Sequence, residues 1–415
     1  MTVSSPSVLI AGGGFTGLFA ALQLSRLGCE LPVTLIDQSP RFVFKPLLYD
    51  LLSGEVEADM AWPRYDDLLS DTSVRFVCNS IQQVDLLNRQ VVLSDGSGYA
   101  YDYLVLGLGG TAGYFGIPGA QDNTFKFRQA DDALALGRHL QQCLQRAAQS
   151  PTGAERAAQL TVTLVGAGPS GIELAATLAD LLPQWYDRFD GDSCDIEIIV
   201  LQRNGEILEG VRSEQLREIA RAALGNRRIA VDLRLDAEVQ AVEPGRLYYY
   251  QDGANHIIET ETVIWTAGNS LHPLIQSLPV AQRDRRGRLR TEPTLQLPEY
   301  PEVFAGGDCA VMAARPWPAT AQVAYQQGMA IASNLALMSK GKPPEPIDIS
   351  LRGTLLKLGM ETGAAELYNR FEVKGYPGHL IRHATYLSLL PTPVRNLKVG
   401  AEWITDEVFK QVLDA

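Results

Sequence analysis

Apolar positions along this chain fall into two spacings. Short continuous runs stop at glycine, and longer stretches repeat Leu and Ala every three or four residues. Val8–Ala11 is wholly apolar and leads into Gly12, which predicts a strand buried on both faces. Thr16–Leu27 carries apolar residues at Leu18, Ala21, Leu22 and Leu27 and reads as a helix, and Pro32–Ile36 reads as the next strand. The order then repeats. Thr161–Val165 predicts a strand, glycines follow, a helix runs to about Leu182, and Ile196–Leu201 predicts another strand. Strands alternating with helices predict βαβ units and parallel sheet, an α/β fold class. Gln141–Leu160, rich in Gln and Ala, reads as a helix end plus a loop, and Gly341–Pro346 as a linker into a last piece of about 65 residues.

Each repeat holds a glycine fingerprint, Gly12-Gly-Gly14-Phe15-Thr16-Gly17 and Gly166-Ala-Gly168-Pro-Ser-Gly171, with first glycines 154 residues apart. That distance suits two domains rather than a solenoid. A strand, this spacing and a helix form the context in which backbone can approach a dinucleotide pyrophosphate. The helix N-terminus then offers free N–H groups to phosphate. The expected architecture is therefore two Rossmann-like dinucleotide-binding domains. An acid about 20 residues on should take the adenosine ribose. Asp37 stands 20 residues after Gly17. The second copy has Gln202 and Arg203 at its strand end, 31 residues after Gly171. A neutral amide and a cation there would accept the 2′-phosphate of NADPH; the alternative is that Arg203 is a solvated turn residue. Two dinucleotide sites favour a flavoprotein that takes hydride from NADPH or NADH.

Composition narrows the class. Hydrophobic residues make up 46% and charged residues 20%, the balance of a globular protein. Against 48 Asp and Glu stand 36 Lys and Arg, a net charge of −12, so a nucleic-acid partner is not expected. Cys29, Cys78, Cys143, Cys194 and Cys309 are scattered without CxxC spacing, so neither a disulfide framework nor a metal site is expected. No apolar run reaches the roughly 18 residues of a membrane span, and no basic region precedes the first apolar stretch, so neither a transmembrane helix nor a signal peptide is expected.

From Val8 to about Met338 these residues resemble the flavoproteins with two dinucleotide-binding domains. Tyr103–Gly109 resembles the strand leaving their FAD domain, and Thr262–Gly268 the strand leaving their NAD(P)H domain. Val303–Ala310 resembles the second FAD fingerprint, whose acid, here Asp308, holds the ribityl chain. The disulfide reductases of this family need a cysteine pair soon after the first acid. Gln38–Tyr65 contains no cysteine, which excludes thiol chemistry there. Instead Phe44-Lys-Pro-Leu-Leu-Tyr49, Tyr114-Phe-Gly-Ile-Pro-Gly119 and Ala321-Gln-Val-Ala-Tyr-Gln-Gln-Gly328 resemble motifs of type II NAD(P)H:quinone oxidoreductases.

The resemblance implies an FAD-binding domain in two parts, residues 1–115 and 281–345, an NAD(P)H-binding domain over 116–280, and a C-terminal segment over 346–415. It implies FAD held by Gly12, Gly14, Phe15, Thr16, Gly17, Asp37, Gly109, Asp308 and Gln322. The donor would be held by Gly166, Gly168, Gly171, Gln202, Arg203 and Gly268. Gln322 and Gln326 lie four apart on one helix face, placed either to donate to a quinone carbonyl or to sit solvated on an Ala-rich packing helix that Pro316 and Pro318 would start. Glu173 either handles protons between nicotinamide and flavin or is a first-turn acid favoured by the helix dipole. Lys45 is expected beside the flavin.

The C-terminal stretch His379–Leu390 places Leu380, Ala384 and Leu387 on one face, with Arg382, His383 and Tyr386 elsewhere. Val394, Leu397 and Ala401 form a second stripe, beside Arg395, Lys398 and Trp403. Such stretches suit either a membrane interface or docking on the protein's own core. A lipid-soluble quinone favours peripheral attachment, on the cytoplasmic side, without proton pumping. Gly353–Gly359 and Leu397–Trp403 resemble the phototroph and plastid branch. There the acceptor is a prenylated naphthoquinone and one role is demethylphylloquinone reduction in phylloquinone synthesis; a respiratory or redox-balancing role with a pool quinone is the alternative. Members are often homodimers, for which this sequence gives no separate warrant. Two other classes stay open: a reductase for a small iron–sulfur protein, and a non-catalytic flavoprotein signalling NAD(P)H.

Overall fold

The computed structural model describes residues 6–150, 153–211, 213–367 and 371–391. A six-stranded sheet runs Gln296–Leu297, Tyr300–Ala305, Tyr103–Leu106, Val8–Ala11, Val33–Asp37, Arg75–Cys78. All neighbours are parallel except the first pair. The central Val8–Ala11 strand is covered on both sides. Val8 and Ile10 join one core, and Leu9 and Ala11 join another. This explains its unbroken apolar run, each large side chain contributing about 1.5–3 kcal/mol on burial.

The second domain carries a parallel five-stranded sheet ordered Val231–Arg234, Glu197–Leu201, Thr161–Val165, Thr262–Trp265, Phe125–Lys126. The chain enters it through Gly110–Ala112 and returns through Asn269–Leu271, and these two segments pair antiparallel as a two-strand hinge. Two sequence expectations change. Gln141–Leu160 is mostly helical, ending one helix (Ala130–Gln149) and forming another (Ala154–Leu160). The helix after the second fingerprint passes Pro183 and continues to Asp187. Leu181, Leu182, Trp185 and Tyr186 are buried there, so packing outweighs the one backbone bond that proline removes.

Beyond the linker, Gly353–Lys357, Gly363–Leu367 and Phe371–Gly375 form an antiparallel three-stranded sheet followed by the helix Tyr376–Leu389. The sequence leaves the orientation of this helix open, and its charged side faces inward. Arg382 and His383 are buried, whereas Leu380 is half-buried and Ala384 exposed. The charged side chains point inward because acids wait for them there. The stripe at Val394, Leu397 and Ala401 lies outside the described residues.

Candidate active site

The two fingerprints fold alike. Gly12 donates to Ile36 O at 2.9 Å, and Gly166 to Leu201 O at 2.8 Å, so each turn is pinned to its neighbouring strand. A methyl on Gly17 would strike the carbonyl of Gly12, and one on Gly171 that of Gly166. Gly12 has φ +96° and Gly166 φ +106°, which only glycine adopts freely. A methyl on Gly168 would meet no protein atom, leaving open space at the helix N-terminus where a pyrophosphate would lie.

Asp37 accepts from Gly13 N at 2.6 Å and from Ser39 N at 2.8 Å. Burial raises its pKa, and the two backbone bonds oppose that. Gln202 does the same work in the second copy, accepting from Ala167 N at 2.9 Å. The oxygen acceptor is retained and the charge is not. Arg203 is exposed and lies over the Phe115 ring.

Thr16 is buried between helices, its hydroxyl donating to Ala324 O at 3.2 Å, so its side chain holds the Phe15–Arg26 and Ala321–Met338 helices together. A methyl on Gly328 would strike Thr16 O, which shows how closely they cross. Phe15 packs edge-on to Phe42. The helix at Ala321 starts behind Thr320, whose hydroxyl accepts from Val323 N at 3.3 Å, rather than at Pro316 or Pro318. Gln326 is committed to the backbone of Ser350, donating at 3.1 Å and accepting at 3.1 Å. Gln322 stays half-buried, and its main-chain carbonyl accepts from the Gln326 side-chain amide at 3.0 Å. Gln327, which the spacing did not single out, is 3% exposed and accepts from Gly307 N at 2.7 Å, fixing the turn before Asp308.

At the hinge, Asn269 donates to Asp308 at 2.8 Å and accepts from Arg128, which also donates to Gly110 O at 3.0 Å. Lys45 faces this group. It is reachable by solvent yet walled by protein, and that enclosure, then Arg128, lowers its pKa while Asp308 opposes. Gly109 has φ +64° and open space beside it. Two cations beside an open glycine turn fit a flavin ring that gains negative charge on reduction, and Asp308 fits its hydroxylated chain.

Glu173 lies where both domains and the C-terminal sheet meet. Its carboxylate accepts from Lys357 N at 2.8 Å and is in hydrogen-bond contact with the Tyr49 hydroxyl. Burial raises its pKa, against the pull of Arg382. Beside it is a buried ion cluster that no local pattern announced. Asp50 accepts from Lys357 at 2.5 Å and from Arg382 at 3.1 Å, with His383 at 3.6 Å; Lys357 also bonds Glu55. Burial pushes the Asp50 carboxyl up, but Arg382, Lys357 and His383 outweigh it and hold it well below the usual carboxylate range. His379, whose ring lies 4.3 Å from that of His383 and is tilted to it by 46°, is driven down to about 3 by burial and by that neighbour. Breaking such a cluster by removing one partner costs about 3–5 kcal/mol. All five cysteines are free, and burial pushes Cys309 up to about 12, so it is held as a thiol.

Residues 6–328 match the pyridine nucleotide-disulphide oxidoreductase family. The chain belongs to this family. It is 32% identical to a demethylphylloquinone reductase of Synechocystis, over 98% of this chain and 97% of that one. It is 30% identical to an alternative NAD(P)H-ubiquinone oxidoreductase of Arabidopsis thaliana, over 96% and 80%. In fold it is similar to NDH2 of Plasmodium falciparum solved with NADH, with TM-score 0.86, 17% identity and coverage of 97% and 98%. Within the family this chain has the nucleotide machinery without the cysteine pair.

Proposed function

We propose that this chain is an FAD-dependent NAD(P)H:quinone oxidoreductase whose acceptor is a prenylated naphthoquinone such as demethylphylloquinone. What carries the reading is the extent of the similarity to the Synechocystis enzyme, which runs through the C-terminal segment as well as both nucleotide domains. Bound FAD would take hydride from NAD(P)H and deliver two electrons to the quinone. The protein's part is placement and protons. Gly12, Gly14, Gly17, Asp37, Gly109 and Asp308 would hold FAD, while Gly166, Gly168, Gly171, Gln202, Arg203 and Gly268 would hold the donor. Lys45 and Arg128 stabilise negative charge at the hinge. Glu173, protonated to higher pH than an ordinary carboxyl and linked to Tyr49, stores a proton for quinol formation.

Gln322 is the remaining quinone-side amide, since Gln326 is tied to Ser350. Phe19, Tyr325, Met329, Leu389 and Leu390 form the apolar wall of a cavity of about 330 Å³, which Arg26, Arg352 and Ser388 also line, and that wall would take a prenyl chain. No helix among the described residues is long and apolar enough to cross a membrane. The half-buried Leu380 and exposed Ala384 support attachment at the lipid surface without crossing it. A pool quinone is the second reading, favoured by 30% identity to the type II NADH:quinone oxidoreductase of Mycobacterium tuberculosis.

Stopped-flow spectroscopy tests the assignment. Gln322→Leu should slow flavin reoxidation by a demethylnaphthoquinone about tenfold, the loss of one hydrogen bond, while flavin bleaching by NAD(P)H continues. Equal loss in both half-reactions makes Gln322 structural. A wild-type preference for a benzoquinone over the naphthoquinone would favour the pool reading.

A further inference from the structure

We infer that Phe115 is a dinucleotide-binding residue, its ring and the Arg203 guanidinium clasping the adenosine half of the nicotinamide donor. This rests on the reading that Gly166–Gly171 receives NAD(P)H. Ile117 N donates to Tyr114 O at 3.0 Å, and the two residues between have φ +55° at Phe115 and +71° at Gly116. Tight turns with two left-handed central residues take Asn, Asp or Gly at the first. A bulky aromatic in that conformation is strained, and such outliers cluster where a site holds them. Packing does not account for the choice, because Phe115 is 64% exposed.

The ring's surroundings give its place. A methyl on Gly268 would meet Phe115 Cζ at 2.6 Å, and the Arg203 guanidinium lies 5.9 Å from the ring centre. Gly268 and Arg203 follow the two strands that flank Thr161–Val165, the strand leading into Gly166. Dinucleotides bind at these carboxyl ends of an open parallel sheet. Arg203 is one residue beyond Gln202, the counterpart of the ribose-binding acid. The ring therefore bridges Gly268, which precedes the hinge residue Asn269, and Arg203, which marks the adenosine end. An aromatic face suits adenine, and the guanidinium suits its phosphates.

Calorimetry with ADP-ribose and turnover with two donors test this. In Phe115→Leu the Kd for ADP-ribose should rise about tenfold. The kcat/KM for NADH relative to that for reduced nicotinamide mononucleotide, which lacks the adenosine half, should fall by a similar factor. Phe115→Tyr should restore both. Phe115→Asn suits the left-handed backbone, so it should melt at or above wild type yet bind ADP-ribose as weakly as the Leu variant. Unaltered ADP-ribose affinity in the Leu and Asn variants, or equal loss with both donors, would make Phe115 a cover for the hinge and overturn the inference. Failure of the wild-type chain to bind ADP-ribose would overturn the nucleotide reading along with it.

Discussion

The two glycine fingerprints share a backbone and differ in charge. Asp37 and Gln202 occupy equivalent strand ends and bond equivalent amides, Gly13 and Ala167, at 2.6 and 2.9 Å. One site holds its turn with a carboxylate, the other with a neutral amide. A turn of this kind therefore needs only an oxygen acceptor; the charge is left to set which ligand follows. On the proposed assignment, a negative strand end would favour ribose hydroxyls and repel a 2′-phosphate, while a neutral one beside Arg203 would admit it.

The largest effect should come from the shared backbone. Gly17→Ala should yield protein without flavin, and Gly171→Ala should keep flavin but lose its reduction by NAD(P)H on the order of a hundredfold, since each methyl displaces a helix from its turn. Absorbance of the purified proteins and anaerobic reduction check this. Loss of flavin in both variants would mean that the domains do not divide the cofactors as assigned.

Charge exchange sharpens the contrast at a smaller scale. Gln202→Glu retains the acceptor for Ala167 and adds the first site's charge, so the NADPH-to-NADH ratio of kcat/KM should fall about tenfold. An unchanged ratio would deny the strand end any role in donor choice.

The smallest effect is in pH. Burial raises Asp37 above its usual 3.8, so on acidification it loses its charge earlier than an ordinary carboxylate, weakening the hold on Gly13 and on flavin. The second site has no such limb. Released flavin fluorescence should rise on acidification while ADP-ribose affinity stays flat; parallel loss would refute the difference. For stability alone the signs differ by site. The raised Asp37 favours the fold below its native pKa and loses that contribution as pH rises through it. The depressed Asp50 contributes fully above the ordinary carboxylate range and loses it as pH falls towards its native pKa.

Much of this fold was legible. Val8–Ala11, Thr161–Val165 and Asp37 follow local rules of period and spacing. Gln202 was harder, because the longer helix through Pro183 and the loop after it stretch the interval, whereas the strand end fixes the residue's role. The sequence leaves the C-terminal helix between a membrane interface and the protein's own core, since periodicity cannot see Asp50 across 332 residues. Gln327 was masked by Gln326 beside it, and nothing in Tyr114-Phe115-Gly116 signals a left-handed phenylalanine.

The Asp50 cluster also sets the order in which a growing chain can mature. Asp50 meets Lys357 307 residues later and Arg382 332 residues later. The strand Tyr300–Ala305 must likewise slot beside Tyr103–Leu106 before the first sheet is complete. At roughly 5–20 residues per second, a ribosome exposes this acid for something like a quarter of a minute to a minute before its cations exist. During that interval the first domain is a half-built sheet with a carboxylate that burial would penalise. Burial of Asp50 with its charge matched therefore waits on the helix Tyr376–Leu389, so the first domain's core closes only after the C-terminal segment has been made.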